Sequence, residues 1–218
     1  MQLISDQDTL TTTLLKNIVG YTAEENINSS IENLEFEFID ALRLLNKEPE
    51  SIAFIEGHGE LDRVHVLDAE EILSKYYFIN RGQIGTNPDE LLQFKAIIIA
   101  GAKEKFSEKD KYIIDQYVMN GGSILWLLDG ISLSEDDLYG TGSSIFIKNE
   151  TELDDLLFSY GFRIEPSVIE DTQCSQILLI DKNNQSTVQP WSFAPILLPS
   201  NDNLITKNIS PIKSSIVS

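Results

Sequence analysis

Ala96-Ile97-Ile98-Ile99-Ala100-Gly101 runs for six residues without a polar side chain and without alternation. A half-buried strand alternates in polarity, so an unbroken run of this length reads as a strand covered on both faces, at the centre of a parallel sheet. The flanks agree with that reading. Upstream, Pro88 opens a brief helical turn, Glu90 to Phe94. Downstream, Ser107 with Asp110 three residues on is a capping-box-like helix start, although Asp reaches back to a cap amide less well than Glu. Ile113, Ile114, Tyr117 and Val118 supply the buried stripe of that helix, and Gly121-Gly122 ends it. Ser123 to Gly130 then reads as another central strand, with Trp126 in the core.

Further out the same rhythm repeats. Ser51 to Ile55 is a short apolar strand ending in Glu56-Gly57-His58-Gly59-Glu60, where two nearby glycines mark a tight strand-to-helix turn. Leu67, Ile72 and Leu73 predict the apolar side of the next helix, and Tyr76 to Ile79 a strand closed by Arg81-Gly82. Residues 132–144 are polar and Gly-rich and read as a loop. Thr151 is positioned to cap a helix carrying Leu153, Leu156, Leu157 and Tyr160, stopped by Gly161, and Phe162-Arg163-Ile164 predicts a further strand. Strands alternating with helices imply an α/β fold, an open and mostly parallel sheet with helices on both faces, of the flavodoxin or amidotransferase-like kind. Beyond Pro166 the texture becomes β-rich. Gln176 to Asp181 and Thr187 to Phe193 flank the turn Lys182-Asn183-Asn184-Gln185, a hairpin extending the sheet rather than a second domain.

Residues 1–22, with a Thr-rich patch at Thr9 to Thr13, predict only a terminal arm. Ile27, Ile31, Leu34, Phe38, Leu42 and Leu45 then recur at steps of three and four, one stripe of a helix about five turns long. It ends near Asn46 and is stopped by Pro49. Barely three heptads long, the stripe suits packing on the domain or on a neighbour better than a coiled-coil seam. The expected division is therefore 1–48, an N-terminal arm and long helix, and 49–218, an α/β domain that is β-rich from about 166. No internal repeat is present.

The chain carries 16 basic and 35 acidic side chains among 218 residues, a formal charge of −19. Phosphate contacts need a basic face, so nucleic acid is excluded as a partner. A single cysteine, Cys174, excludes an internal disulfide and a multi-cysteine zinc site. Its longest apolar runs fall far short of the roughly 18 residues of a spanning helix. Met1 opens onto polar residues and Ile205 to Ser218 ends in Ser, Lys and Ile without a cap, as in a soluble fragment cut from a longer protein.

Open α/β sheets bind ligands beyond the carboxyl ends of their strands, which directs attention to the loops at 56–60, 101–106 and 129–144. In the first, Glu56, His58, Glu60, Asp62 and His65 bring metal-donor chemistry close together, but the spacing fits no metal motif. Local hydrogen bonding in a turn is the first reading of His58, a small-ligand contact the second, a metal the last. Gly57 to Asp62 lacks the third glycine of a phosphate cradle and puts acids where an anion would sit. Gly101-Ala102-Lys103-Glu104-Lys105 presents no nucleophile, and Cys174 has no histidine nearby in sequence. Asp129-Gly130 with Glu135, Asp136 and Asp137 lacks the ligand alternation of a calcium loop, as does Asp181 to Asn184. Trp191, after Pro190 in the tail, is placed to pack or to meet a partner. The expectation is no catalytic residue, no metal and no cofactor, with Glu56, His58, Glu60 and Asp129 as candidate small-ligand contacts.

Five strings, in order, resemble the GldG family. They are Ser30-Ile31-Glu32-Asn33-Leu34-Glu35-Phe36; Ile52-Ala53-Phe54-Ile55-Glu56-Gly57-His58-Gly59-Glu60-Leu61; Asp110 to Gly122, reading DKYIIDQYVMNGG; Leu125-Trp126-Leu127-Leu128-Asp129; and Asp155-Leu156-Leu157-Phe158-Ser159-Tyr160-Gly161. The likeness runs from about Glu24 to Cys174. It implies an extracytoplasmic accessory protein of a gliding-motility-associated ABC transporter of Bacteroidetes-type bacteria. Its implied partners are the ABC permease and ATPase, on the periplasmic face of the inner membrane, held by anchors absent from this chain. The family's α/β region also resembles a domain of an intraflagellar-transport subunit for which sugar binding has been suggested by fold analogy. No catalytic residues follow from the resemblance. The expected function is non-enzymatic, through protein interaction or cargo handling in transport; the alternative is a module binding a small ligand, a carbohydrate among the options.

Overall fold

A computed structural model describes residues 2–4, 9–46, 48–132, 145–180, 186–207 and 209–214. Where the sequence predicts an arm, β1 (Gln2–Ile4) and β2 (Thr9–Thr11) pair antiparallel. The expected long helix is two, α1 (Ala23–Glu32) and α2 (Leu34–Asn46). The hydrogen-bond ladder is interrupted at Asn33, whose amide closes α1 on Ser29 and whose carbonyl opens α2 by accepting from the Glu37 amide. The Asn33 side chain also bonds the Ser29 carbonyl, a local competition that disfavours Asn inside helices.

Next come β3 (Glu50–Glu56), α3 (Arg63–Ser74), β4 (Tyr77–Gln83), a 3-10 turn at Pro88–Gln93, β5 (Ala96–Ala100), α4 (Glu108–Met119) and β6 (Ser123–Leu127). The four strands form a parallel sheet in the order β4-β3-β5-β6, the α/β arrangement expected. Central β5 is covered on both faces: Ile97 and Ile99 have no exposure and Ile98 only 6%. The remaining elements are β7 (Ile131–Ser132) paired with β8 (Ile147–Lys148), α5 (Asp154–Ser159), β9 (Cys174–Ile180), β10 (Ser186–Leu197) and β11 (Ile212–Lys213).

Several expectations are corrected. β6 is an edge of the described sheet, not a central strand: Ile124 and Trp126 pack on the core while Leu125 and Leu127 are exposed. On α3, Val66 and Glu70 are buried, whereas Leu67 and Ile72 face outward. Thr151 does not cap α5, whose cap position is Leu153 without a side-chain bond; the Thr151 carbonyl instead accepts from the Phe106 amide. Phe162 to Ile164 forms no strand, because the end of α5 takes the Phe162 amide and a tight turn joins Ser167 to Glu165. β9 and β10 pair antiparallel as predicted, but with β11 they form a separate three-stranded sheet. Trp191 lies within β10, edge-on to Phe193. The loop expected at 132–144 and the turn at Lys182 to Gln185 lie almost wholly outside the described residues, as do Glu135, Asp136 and Asp137.

The chain divides into two compact units, Met1–Ile52 with Leu67–Ile79, and Ala53–Val66 with Asn80–Ser218. The second holds the main core, in which Ile97, Ile99, Phe106, Ile113, Ile114, Tyr117, Leu153 and Leu157 are almost fully buried. In the first, Ala41 and Ile52 are buried, and Arg43 lies over the Tyr76 ring. Among the described residues no helix is long and apolar enough to cross a membrane.

Candidate functional site

In a parallel sheet ordered β4-β3-β5-β6 the order of strand addition reverses between β3 and β5, the switch point at which open α/β sheets hold ligands. The loop after β3 begins with His58 between Gly57 at φ 114° and Gly59 at φ 72°, backbone that a side chain at either position would strain. This sharp turn folds His58 inward, to 6% exposure. Its ring stacks on Phe106 with centroids 3.7 Å apart and planes 7° from parallel.

Both ring nitrogens meet carboxylates: Nδ1 lies 3.2 Å from Glu60 Oε1 and Nε2 3.4 Å from Asp110 Oδ2. Glu60 also accepts the His58 amide at 2.6 Å. Asp110 stands in the first turn of α4, where its Oδ2 accepts from the Ser107 hydroxyl at 2.6 Å and its amide donates back to that hydroxyl. Lys109 approaches the other Asp110 oxygen at 3.2 Å. Burial opposes charge on the imidazole, but hydrogen bonds to Glu60 and Asp110 and their negative charge outweigh it, so the His58 pKa is raised. Burial likewise opposes ionisation of the carboxylates; His58 outweighs it at Glu60, and Ser107, Lys109 and His58 outweigh it at Asp110, so both pKa values are lowered. The three groups set a buried imidazole between two carboxylates.

The backbone of this turn closes the crevice. Leu61 N–H donates to Ala100 at 2.9 Å, and the Lys103 and Glu104 amides both donate to the His58 carbonyl, at 2.9 and 2.8 Å. The loops after β3 and β5 are thus bonded to each other.

Of the sequence candidates, the structure brings His58 and Glu60 together. Glu56 turns instead to Arg81, whose Nε donates to it at 2.7 Å while the guanidinium lies over Phe54. Asp129 contributes its backbone carbonyl, which accepts from the side-chain Nδ2 of buried Asn149 at 3.0 Å. His65 lies exposed on α3. Cys174 opens β9 opposite Pro195, while the His58 nitrogens face carboxylates. Among the described residues no group of three or more His, Cys, Asp or Glu side chains is arranged to hold a metal ion. A cleft of about 180 Å³ opens elsewhere, lined by Ala53, Ile55, Arg81, Gln83, Glu90 and Phe94 among others, with none of the four candidates in its wall.

Phe106, at the end of the 101–106 loop, and Asp110, which local spacing marks only as a cap partner, complete the cluster. The usable signal was topological: the 56–60 and 101–106 loops leave the same end of adjacent strands, so the helix start after the second lies within reach of His58.

Residues 49–218 match the family model described as ABC-type uncharacterized transport system. No curated protein matches the chain. Among solved structures, the chain is similar to one described as the mmIFT52 N-terminal domain, with a TM-score of 0.45 and 19% identity over 67% of each chain.

Proposed function

The chain belongs to the auxiliary family of ABC-type uncharacterized transport systems, and from that premise we propose that it is a non-catalytic domain acting through protein interaction or cargo handling. The observation that supports this most is the closed switch point. Groups that an enzyme of this architecture would aim at substrate are spent here on one another: His58 on Glu60 and Asp110, the His58 carbonyl on two amides, Leu61 on Ala100. A general base needs a free nitrogen within reach of a proton, and this imidazole has carboxylates at both.

The finer reading is a GldG-like accessory protein working at the periplasmic face of the inner membrane, with the ABC permease and ATPase as partners. Its support is the ordered set of five matching strings, three of which fall on β3 with its turn, on α4 and on β6. Full-length protein carrying an affinity tag, solubilised gently from its native membrane, should recover the permease and ATPase encoded with it. Recovery of neither, from membranes that contain both, would sink the transport reading.

One observation favours the small-ligand alternative, and it moves the site. The cleft beside Gln83, Glu90 and Arg81 offers hydrogen-bonding groups at the edge of an apolar floor, a usual composition for ligand pockets. Thermal stabilisation by a member of a glycan panel, cancelled by Gln83→Leu, would support it.

A further inference from the structure

The helix that sequence analysis singled out faces the wrong way for a self-sufficient domain. The fully buried residues of α1 and α2 are small, Ser30 and Ala41, with Leu44 and Leu45 half-buried at the end of α2; Ser30 accepts the Lys16 amide at 2.8 Å, and Lys16 pairs with Glu37. The apolar stripe is outside, with Ile27 51%, Ile31 66%, Leu34 47% and Phe38 43% exposed. Ile27 and Ile31 share one face of α1, four residues apart, and Leu34 and Phe38 share one face of α2 at the same step, on either side of the turn at Asn33. An amphipathic helix normally buries that face, and a contiguous exposed stripe marks a contact surface.

Charge selects the occupant. Residues 23–46 carry six acids (Glu24, Glu25, Glu32, Glu35, Glu37 and Asp40) against one base, Arg43, which is engaged with Tyr76. Glu24 stands three residues before Ile27 on α1 and Glu35 three before Phe38 on α2, each one turn from the apolar residues of its own helix. A second copy would set this acidic border against itself in a chain of charge −19, and anionic lipid would be repelled in the same way. We propose that this stripe docks a basic amphipathic helix of another protein, apolar residues against Ile27, Ile31, Leu34 and Phe38, lysines or arginines against Glu24 and Glu35. The identification of that protein as a component of the transport complex rests on the function proposed above; the chemistry of the face does not.

The test uses the whole 218-residue chain and a fluorescein-labelled 18-residue peptide of leucine and lysine with leucines at helical spacing, beside a scrambled peptide of equal composition. Fluorescence anisotropy should show saturable binding that weakens as salt rises and is much weaker for the scrambled control. Ile31→Asp with Phe38→Asp should cut affinity at least tenfold. Both positions are exposed, and a retained circular-dichroism spectrum and melting point would show that the variant folds. Glu24→Lys with Glu35→Lys, which leaves the stripe intact, should weaken the basic peptide several-fold and serves if the first variant does not fold. Peptide binding that ignores both variants overturns the proposal. So does sedimentation showing a dimer that Ile31→Asp with Phe38→Asp dissociates, or binding to phosphatidylcholine vesicles lost in the same variant. A docking result obtained this way is independent of whether membrane pull-downs recover permease and ATPase, so failure of one claim is distinguishable from failure of the other.

Discussion

His58 is the residue on which the site turns, and its protonation gives a signed prediction. Its folded pKa is raised above the ordinary 6.5, so the stability it contributes is fully present below 6.5 and is lost as pH rises through the raised value. Glu60 and Asp110 are lowered from 4.5 and 3.8, so theirs is present above those values and is lost as pH falls through the lowered ones. The three contributions coincide between 4.5 and 6.5. Replacing His58 with Gln should cost on the order of 1–3 kcal/mol in that window, since it leaves the half-buried Glu60 and Asp110 carboxylates without their partner. Denaturant melts across pH should show the gap between wild type and variant narrowing on the alkaline side; a gap constant with pH would mean that His58 is neutral in the fold. Gly122 makes a second residue-scale case. A methyl there would meet the Tyr117 ring at 2.3 Å, and that ring is fixed by burial and by its hydroxyl donating to Phe94 and Ser123. Gly122→Ala should therefore destabilise by about 1–3 kcal/mol, the usual range for overpacking, with Gly121→Ser as a contrast that meets open space but carries φ 90° strain instead. The sequence showed the glycine pair as a helix stop, but only packing separates the two roles. His58 was legible as a turn histidine because its glycine neighbours are local; its partner Asp110, 52 residues away, was not.

At the scale of elements, α4 shows what local chemistry encodes. Ser107 caps it and Ile113, Ile114 and Tyr117 bury its stripe, all readable from spacing. What spacing does not carry is that the cap and the buried cluster share one carboxylate. Ser107→Ala should remove about 1 kcal/mol through the lost cap. It should also reduce the upward shift of the His58 pKa, followed by NMR titration of the imidazole, because Asp110 loses the hydroxyl that orients it. An unchanged His58 titration would show that the cap and the cluster act separately. β5 was legible because an unbroken Ala-Ile-Ile-Ile-Ala run has no exposed face to offer. β6 reads as central for the complementary reason: Leu125 and Leu127 are apolar yet exposed, so Ile124 to Leu128 reads as doubly buried when the alternate residues Ile124, Trp126 and Leu128 pack on the core. Phe162 to Ile164 has strand-like residues without strand partners, since its first amide is spent on α5. Strand identity depends on neighbours, which a local pattern does not contain.

For the whole molecule, the family match and the packing draw different lines. The family model begins at residue 49, whereas the unit that contains α1 and α2 also takes in Leu67–Ile79. Inside that unit Tyr76 is held from the N-terminal side twice. The Arg43 guanidinium lies 5.3 Å from its ring centre, and the Asp40 carboxylate accepts its hydroxyl, which raises the Tyr76 pKa. A cation over an aromatic ring is worth roughly 0.5–1 kcal/mol when partly exposed, and one hydrogen bond contributes about as much. A chain trimmed to residues 49–218 keeps everything the family model recognises but loses both contacts and Ala41, so it should unfold about 1–2 kcal/mol more easily than the full chain. Arg43→Ala in the full chain should reproduce part of that loss and bring the Tyr76 titration no lower, since the arginine charge favours the ionised phenol. Equal denaturation midpoints for the full and trimmed chains would show that residues 1–48 add no stability to the rest, leaving presentation of the α1–α2 stripe as their contribution. A lower midpoint for the trimmed chain would instead make the same helices both a structural support and a docking face, so that a partner bound to the stripe would also stabilise the fold beneath it through mass action.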